Sequence, residues 1–143
     1  MRSFLILLVA GCGQLAAAQG EALDDTVRAF NDDMTWAKFD VAAAHLPPAQ
    51  RVQFIDDWED RSKDLHVTGY TVVKVVQKGA TEARVEVKLE WYKESEGTVH
   101  ETYAQQIWER HGKLWLLVDE ARLRGPEMPG LLEPMMKDVQ ATK

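Results

Sequence analysis

Apolar and polar residues alternate along most of the chain between residues 84 and 118. From Arg84 to Trp91 every second residue is apolar, and the residues between them are charged. Strict alternation is typical of half-buried strands, and short polar breaks that contain glycine are typical of hairpins. A stretch rich in valine precedes this region and favours a further strand. Because the connections are short, the pattern predicts an antiparallel meander of four strands, at residues 66–77, 82–92, 98–109 and 113–120.

The N-terminal half instead has apolar residues spaced three and four apart, which predicts helices. We expect a helix over residues 21–46, with a bend near residues 38–40 and a short second helix that Asp40 caps. Pro47 should end this region, and Pro48 suits the first turn of a third helix that continues to about Asp64. Helices followed by strands predict the α+β class, with the helices on one face of the sheet.

This order of elements resembles the NTF2-like superfamily, in which a curved antiparallel sheet wraps around a helix and forms a cone with a pocket. The resemblance extends over about residues 21–122 and includes the closing strands, where Trp108, a turn at Gly112 and Trp115 follow one another. It implies N-terminal helices packed on a curved four-stranded sheet, with ligands entering at the open mouth of the cone. A cystatin-type or another α+β fold with a strongly curved sheet would have a similar pattern.

The first twenty residues predict an exported protein with a lipid anchor. A short start that carries Arg2 precedes an apolar run at residues 4–10, which suits the core of a signal peptide and is too short to span a bilayer. The following stretch, Val9-Ala10-Gly11-Cys12, resembles the lipobox of bacterial lipoproteins, in which the cysteine is lipidated and becomes the first residue. The resemblance implies lipidation at Cys12 and attachment to a membrane of the cell envelope.

A second cleavage pattern competes with the lipobox. The small residues at 16–18 fit an ordinary signal peptidase, which would release a soluble periplasmic or secreted protein. If Cys12 is lipidated, Gly13 in place of an aspartate favours the outer membrane, with the domain facing the periplasm. The expected organisation is a signal peptide with lipobox and tether at residues 1–20, the domain at residues 21–122, and an irregular tail at residues 123–143.

Charge and cysteine content narrow the possible functions. The net charge of −6 disfavours binding to nucleic acid. With Cys12 as its single cysteine, the chain can form no intramolecular disulfide and no cysteine-rich metal site. No histidine or carboxylate spacing predicts another metal site, and no motif predicts a cofactor. The acidic residues between 56 and 60 are best interpreted as a solvated helix face.

Five residues are candidates for lining a pocket. Alternation and helical spacing suggest that Tyr70, Tyr103 and Trp108 face inward from the strands, and Asp33 and Trp36 from the first helix. A carboxyl group in an apolar pocket can have its pKa raised enough for acid–base catalysis. Asp33 buried beside Tyr70 or Tyr103 would therefore favour an enzyme, and an exposed Asp33 would weaken that interpretation. The catalytic residues of the superfamily match no position here.

The sequence is compatible with three functional hypotheses. The first is a non-enzymatic envelope lipoprotein that binds a small apolar ligand or an envelope protein. The second is a pocket enzyme of the same fold that performs proton transfer or hydrolysis. The third is a homodimer that packs through the outer face of its sheet, where the charges of Arg84, Glu86, Lys88 and Glu90 would have to be paired.

Overall fold

A computed structural model describes residues 20–133 and confirms the predicted α+β class. The helices precede the strands, and the four strands form one antiparallel sheet in the order β1-β2-β3-β4. The helices are α1 (Leu23–Thr35), α2 (Phe39–Ala43) and α3 (Arg51–Arg61), and a 3₁₀ turn (Pro48–Gln50) leads into α3. The strands are β1 (Leu65–Lys78), β2 (Glu82–Lys93), β3 (Val99–His111) and β4 (Leu114–Arg124).

The bend between the first two helices lies close to its predicted place. Helix α1 ends at Thr35, and Ala37 has a left-handed backbone with φ of 55°. The predicted capping role of Asp40 is wrong, because Lys38 occupies the N-cap position of α2 and no side chain caps that helix. Asp40 lies in the first turn of α2, where its charge still interacts favourably with the helix dipole. Pro48 begins the turn that leads into α3, as the sequence predicts.

The core lies between α1 and the inner face of the sheet. Alternate residues of β2 and β3 are buried, so one face of each strand contacts the helices while the other is partly exposed. Trp108 is completely buried, and the ring of Phe30 from α1 meets it edge-on at a centroid distance of 5.9 Å. Such edge-to-face pairs contribute beyond the apolar area that they bury. Val27 and Met34 of α1 belong to the same hydrophobic cluster and also pack against the sheet.

Strand β4 contains a bulge that changes which side chains face inward. Leu117 pairs with Trp108 and Asp119 pairs with Ile107, so Val118 is an extra residue in β4. An extra residue of this kind bends the strand and reverses the alternation that follows it. Glu120 therefore lies opposite Gln106 on the inner face. The strand also continues to residue 124, beyond its predicted end at residue 120.

After β4 the chain folds back across the strand in a segment that we call the strap (residues 126–133). Met128 of the strap is 3% exposed and belongs to the core, and Leu132 forms a parallel bridge with Ala121. The hydroxyl of Thr102 donates a hydrogen bond of 2.8 Å to the carbonyl of Pro126. The strap thus closes one side of the space between α1 and the sheet.

Cys12 and the predicted signal peptide lie outside the described residues, so the lipid anchor stays a prediction. Between residues 20 and 133 no helix is long and apolar enough to span a membrane.

Candidate functional site

Four polar groups meet on the inner face of the sheet. The Gln106 side-chain amide donates to Glu120 Oε2 at 2.6 Å and to Asn31 Oδ1 at 3.0 Å. Asn31 Nδ2 and Trp108 Nε1 each donate to Gln106 Oε1 at 3.3 Å, and Asn31 Nδ2 also donates to the Val27 carbonyl at 2.8 Å. Every polar atom of the Gln106 side chain therefore has partners, which is what makes its complete burial tolerable. The network fixes the position of the Glu120 carboxyl.

Burial raises the pKa of Glu120 from its ordinary value of 4.5 to about 7. Loss of solvent around the carboxyl is the largest cause, because a low-dielectric surrounding disfavours the charged form. The hydrogen bond from Gln106 lowers the pKa, and the negative charge of Asp119 raises it. Glu120 therefore gains and loses its proton near neutral pH.

Glu120 also lies at the wall of a cavity of about 140 Å³ between α3, β4 and the strap. Its polar lining comes from Gln50, Asp119 and Glu120, and Gly130 of the strap completes it. Within the described part of the chain, the second oxygen of the Glu120 carboxyl has no hydrogen-bond partner. The remaining lining is apolar or aromatic, from Leu46, Phe54, Trp58, Leu117, Val118 and Leu132.

A glycine at position 130 allows the strap to approach the cavity this closely. Gly130 has φ of +100°, and a Cβ atom there would lie 2.6 Å from Cζ2 of Trp58. Both the backbone conformation and the close approach therefore exclude a side chain. Trp58 itself is buried, and its ring stacks on that of Phe39 at a centroid distance of 5.8 Å. The Arg61 guanidinium lies 4.9 Å from the centre of the Trp58 ring.

The space between α1 and the sheet is almost completely filled. The gap there measures about 10 Å³, and Glu120 and Trp58 line it as well as the larger cavity. A gap of that size holds at most one water molecule. In this conformation a ligand has room on the α3 side of Glu120 and not on the α1 side.

Two larger depressions lie elsewhere on the surface. One of about 510 Å³ lies beside the start of α1 and borders Gly20, where the described chain begins. The other, of about 330 Å³, lies on the outer face of the sheet between Lys74 and Leu123. The smaller cavity is the one that combines an apolar wall with a carboxyl whose pKa is raised.

Tyr70 lies on the helix side of the sheet, but its partner is Asp32 rather than Asp33. The Tyr70 hydroxyl donates to Asp32 Oδ1 at 2.8 Å and contacts the Arg28 carbonyl at 3.3 Å. Desolvation and the neighbouring Asp32 raise the pKa of Tyr70 to about 12. Asp33 is partly exposed, and its carboxyl has no hydrogen-bond partner in the described range. The arrangement that would have favoured Asp33 as a catalytic carboxylate is absent from this part of the chain.

The other three candidates lie in different environments. Trp36 follows α1 and is 75% exposed, so the inward orientation predicted for it is wrong. The orientation predicted for Tyr103 is also wrong, because its neighbours Thr102 and Ala104 are the inward residues and Tyr103 lies on the outer face. Trp108 faces inward as predicted, although its contacts are with the core and the polar network. Ligand binding by any of the five candidates stays a prediction.

The sequence interpretation missed Glu120, and the bulge is the reason. Residues 114–118 are apolar without alternation, so nothing in β4 indicates which of Asp119 and Glu120 faces inward. Gln106 offered an indirect signal, because it occupies an inward position of β3 between two buried residues. A glutamine in such a position needs a buried polar partner, and Glu120 and Asn31 supply it.

The pKa of Glu120 should respond to its neighbour on β4. We expect Asp119→Asn to lower it, because the substitution removes a negative charge that disfavours ionisation of Glu120. The titration of the Glu120 side-chain carboxyl carbon, followed by NMR, measures this pKa directly. Asp33→Asn removes the same charge on α1 and serves as the control. Equal titration of Glu120 in wild type and Asp119→Asn would contradict the expected coupling.

Charges on the outer face are paired within the chain. Lys88 Nζ lies 3.8 Å from both Glu90 and Glu101, and Arg84 lies 3.8 Å from Glu82. Exposed pairs of this kind contribute little to stability. A homodimer through this face would have to retain or replace these pairs, and it stays a prediction. Among the described residues no group of three or more histidine, cysteine or acidic side chains could hold a metal ion.

Comparison with known proteins identifies the fold. No protein-family model and no curated protein sequence matches this sequence. The solution structure of a SEC-C motif containing protein from Rhodopseudomonas palustris has a TM-score of 0.61 at 14% identity, over 75% of this chain and 81% of that one. A ketosteroid isomerase-like protein from Erwinia carotovora atroseptica has a TM-score of 0.54 at 13% identity, over 78% and 98%.

A conserved protein from Planctomyces limnophilus gives a TM-score of 0.51 at 15% identity, over 71% of this chain and 95% of that one. At such low identities the similarity concerns the fold and carries no function with it. Together with helices that precede a curved antiparallel sheet, it identifies residues 20–133 as a domain of NTF2-like α+β fold.

Proposed function

We propose that this chain is an envelope lipoprotein whose NTF2-like domain binds a small molecule in the cavity beside Glu120 without transforming it. The observation that carries the ligand-binding part is the second oxygen of Glu120, which has no partner in the described chain and belongs to a carboxyl at the wall of an apolar cavity. Ligand sites are usually concave and mostly apolar, with a few precisely placed polar groups.

The size of the cavity limits the ligand. A cavity of about 150 Å³ with an apolar lining accommodates benzene, and the cavity beside Glu120 is of similar volume at about 140 Å³. We therefore expect a compound of about that size, or a larger compound that inserts one group of that size. Because the network of Asn31 and Gln106 holds Glu120 in place, binding should require little rearrangement of the carboxyl.

Binding can be tested on the full-length chain with benzene, cyclopentanol and cyclopentylamine as probes. We expect at least one of them to shift the NMR signals of Trp58 and Leu117. Gln50→Trp, at the exposed edge of the cavity, should block access and remove the shift, because the larger side chain covers the opening. Gln53→Trp introduces the same side chain on α3 away from the cavity and should leave binding intact. Absence of binding by all three probes would refute the proposed site.

The envelope part of the proposal rests on the sequence around Cys12. The full chain, expressed from its own leader in a bacterium, should carry acyl chains by intact mass and partition into detergent. Cys12→Ala should lose both properties. A soluble product that begins after Ala18 would instead indicate a secreted or periplasmic protein and would refute the lipid anchor.

A second candidate function, catalysis of proton transfer, is favoured by the pKa of Glu120. A general base works best when its pKa lies near the operating pH, and that of Glu120 is raised to about 7. An enzyme of this kind should accelerate the exchange of the α-hydrogens of cyclopentanone with D₂O, and Glu120→Gln should reduce that rate at least about 100-fold. If the protein does not accelerate the exchange beyond its rate in buffer, catalysis of proton transfer from cyclopentanone is excluded.

A further inference from the structure

The cavity beside Glu120 has an uneven distribution of charge. The charged residues in its lining are Asp119 and Glu120, and the described lining contains no lysine, arginine or histidine. Asp119 lies close enough to Glu120 to disfavour its ionisation. The cavity therefore has negative charges at one wall and apolar side chains at the others.

The basic side chains near the cavity are engaged elsewhere. Arg51 donates to the carbonyls of Leu46 and Ala44 at 3.0 and 3.3 Å. Arg61 lies over the ring of Trp58 and close to Gly130, where an added Cβ atom would be 3.2 Å from Arg61 Nη1. Arg122 forms a bidentate ion pair with Glu133 of the strap. None of these cations is hydrogen-bonded to Glu120, whose side-chain partner in the described chain is the uncharged Gln106. In the described chain, Glu120 thus has an anionic neighbour, Asp119, and no cation bonded to its carboxyl.

The hydrogen-bonding capacity of Glu120 requires that a ligand of the cavity be a hydrogen-bond donor. An ionised carboxylate only accepts hydrogen bonds, and one of its two oxygens is already bonded to Gln106. A ligand that complements the free oxygen must donate a hydrogen bond, and it gains most if the donor is charged. A carboxylate or phosphate ligand would instead meet two like charges without a compensating donor.

We propose that the ligand of this cavity is a small organic ammonium ion, with its apolar body against Trp58 and Leu117 and its ammonium group on the free oxygen of Glu120. This inference rests on the proposed ligand-binding function and specifies the class of ligand. The apolar wall contributes by removing the hydrocarbon part from water. The carboxylate selects the charged donor over a neutral compound of the same shape.

Binding of an ammonium ion to this cavity should depend on pH through the ionisation of Glu120. An aliphatic ammonium ion stays protonated from about pH 6 to about pH 8, whereas Glu120 with a pKa of about 7 changes from mostly neutral to mostly ionised. The affinity for an ammonium ion should therefore rise about tenfold over this interval. The affinity for a neutral alcohol should stay constant or fall, because the protonated carboxyl can also donate to a hydroxyl.

The experiment compares cyclopentylamine with cyclopentanol, two compounds of the same shape, by NMR titration of the full-length chain. At about pH 8 we expect the amine to bind roughly tenfold more tightly than the alcohol, as a charge-assisted hydrogen bond would give. Glu120→Gln should remove both this preference and the pH dependence. Glu109→Gln, which removes the same charge from the outer face, should change neither.

The possible results separate this inference from the proposed function. If the alcohol binds as tightly as the amine at about pH 8, or if amine binding survives Glu120→Gln unchanged, the ammonium proposal is overturned and the cavity remains a ligand site. If no probe binds to the wild-type chain, both proposals fail. An amine preference that also disappears in Glu109→Gln would reflect the net charge of the protein and would likewise overturn the ammonium proposal.

Discussion

Glu120→Gln should raise the free energy of unfolding by as much as about 3 kcal/mol near pH 8 and change it little near pH 4. The pKa of Glu120 is about 7 in the folded chain against an ordinary value of 4.5. Because its pKa is higher in the folded than in the unfolded chain, the Glu120 carboxyl binds its proton more tightly when folded. This contribution to stability is complete below about pH 4.5. That advantage is lost as the pH rises through about 7. Glutamine is uncharged at every pH and can still accept the hydrogen bond from Gln106.

Urea unfolding of both proteins near pH 4 and near pH 8 measures this difference. Other carboxyls also titrate, since hydrogen bonds from Ser95 lower the pKa of Asp64 and those from Arg122 lower the pKa of Glu133. Their contributions are lost as the pH falls, in wild type and variant alike, so they cancel in the comparison. Glu109→Gln is the matched control and should change stability by no more than about 0.5 kcal/mol. An equal effect of Glu120→Gln at both pH values would contradict the raised pKa.

Trp108→Ala should lower the free energy of unfolding by about 4 kcal/mol, a large part of the total for a domain of this size. Trp108 has no exposed surface, and its removal would leave a cavity against Phe30 that the surrounding strands could fill only partly. It would also remove one of the hydrogen bonds that Gln106 accepts. Urea unfolding followed by far-UV circular dichroism measures the loss.

Trp36→Ala is the matched control, because the same side chain is there 75% exposed. Its removal should change stability by about 0.5 kcal/mol or less. Trp108→Phe keeps a large ring in the core and should cost clearly less than Trp108→Ala. A loss in Trp36→Ala as large as that in Trp108→Ala would mean that Trp36 is covered by another part of the chain or by a second molecule.

The sheet could be predicted well because its signal is local. Alternation along β2 and β3 reflects one buried and one exposed face, and a single strand carries that information in its own residues. The order of helices and strands follows for the same reason. The capping of α2 could not be predicted as well, because Asp40 and Lys38 are separated by two positions and helix ends are commonly misplaced by that much.

The site was predicted less well, since it depends on contacts between distant residues. Asp32 and Asp33 are adjacent in α1, and only the packing of the helix on β1 decides that Tyr70 meets Asp32. Tyr103 was expected on the same face as Trp108, although the two are separated by an odd number of positions in a continuous strand. Residues with that spacing lie on opposite faces of a strand, so the sequence itself already placed Tyr103 outward when Trp108 faces inward.

The sequence by itself determined the α+β class, the strands with their hairpins, and the burial of Trp108. Each of these follows from residues that are close in the chain. The tertiary structure alone decided that Glu120 faces inward, because the bulge at Val118 reverses the phase of a strand without alternation. It also decided that the strap pairs with the backbone of Glu120 and that Gln106 holds its carboxyl. Burial of the carboxyl then follows from the packing of four separate segments, and burial is what brings its pKa to neutral pH.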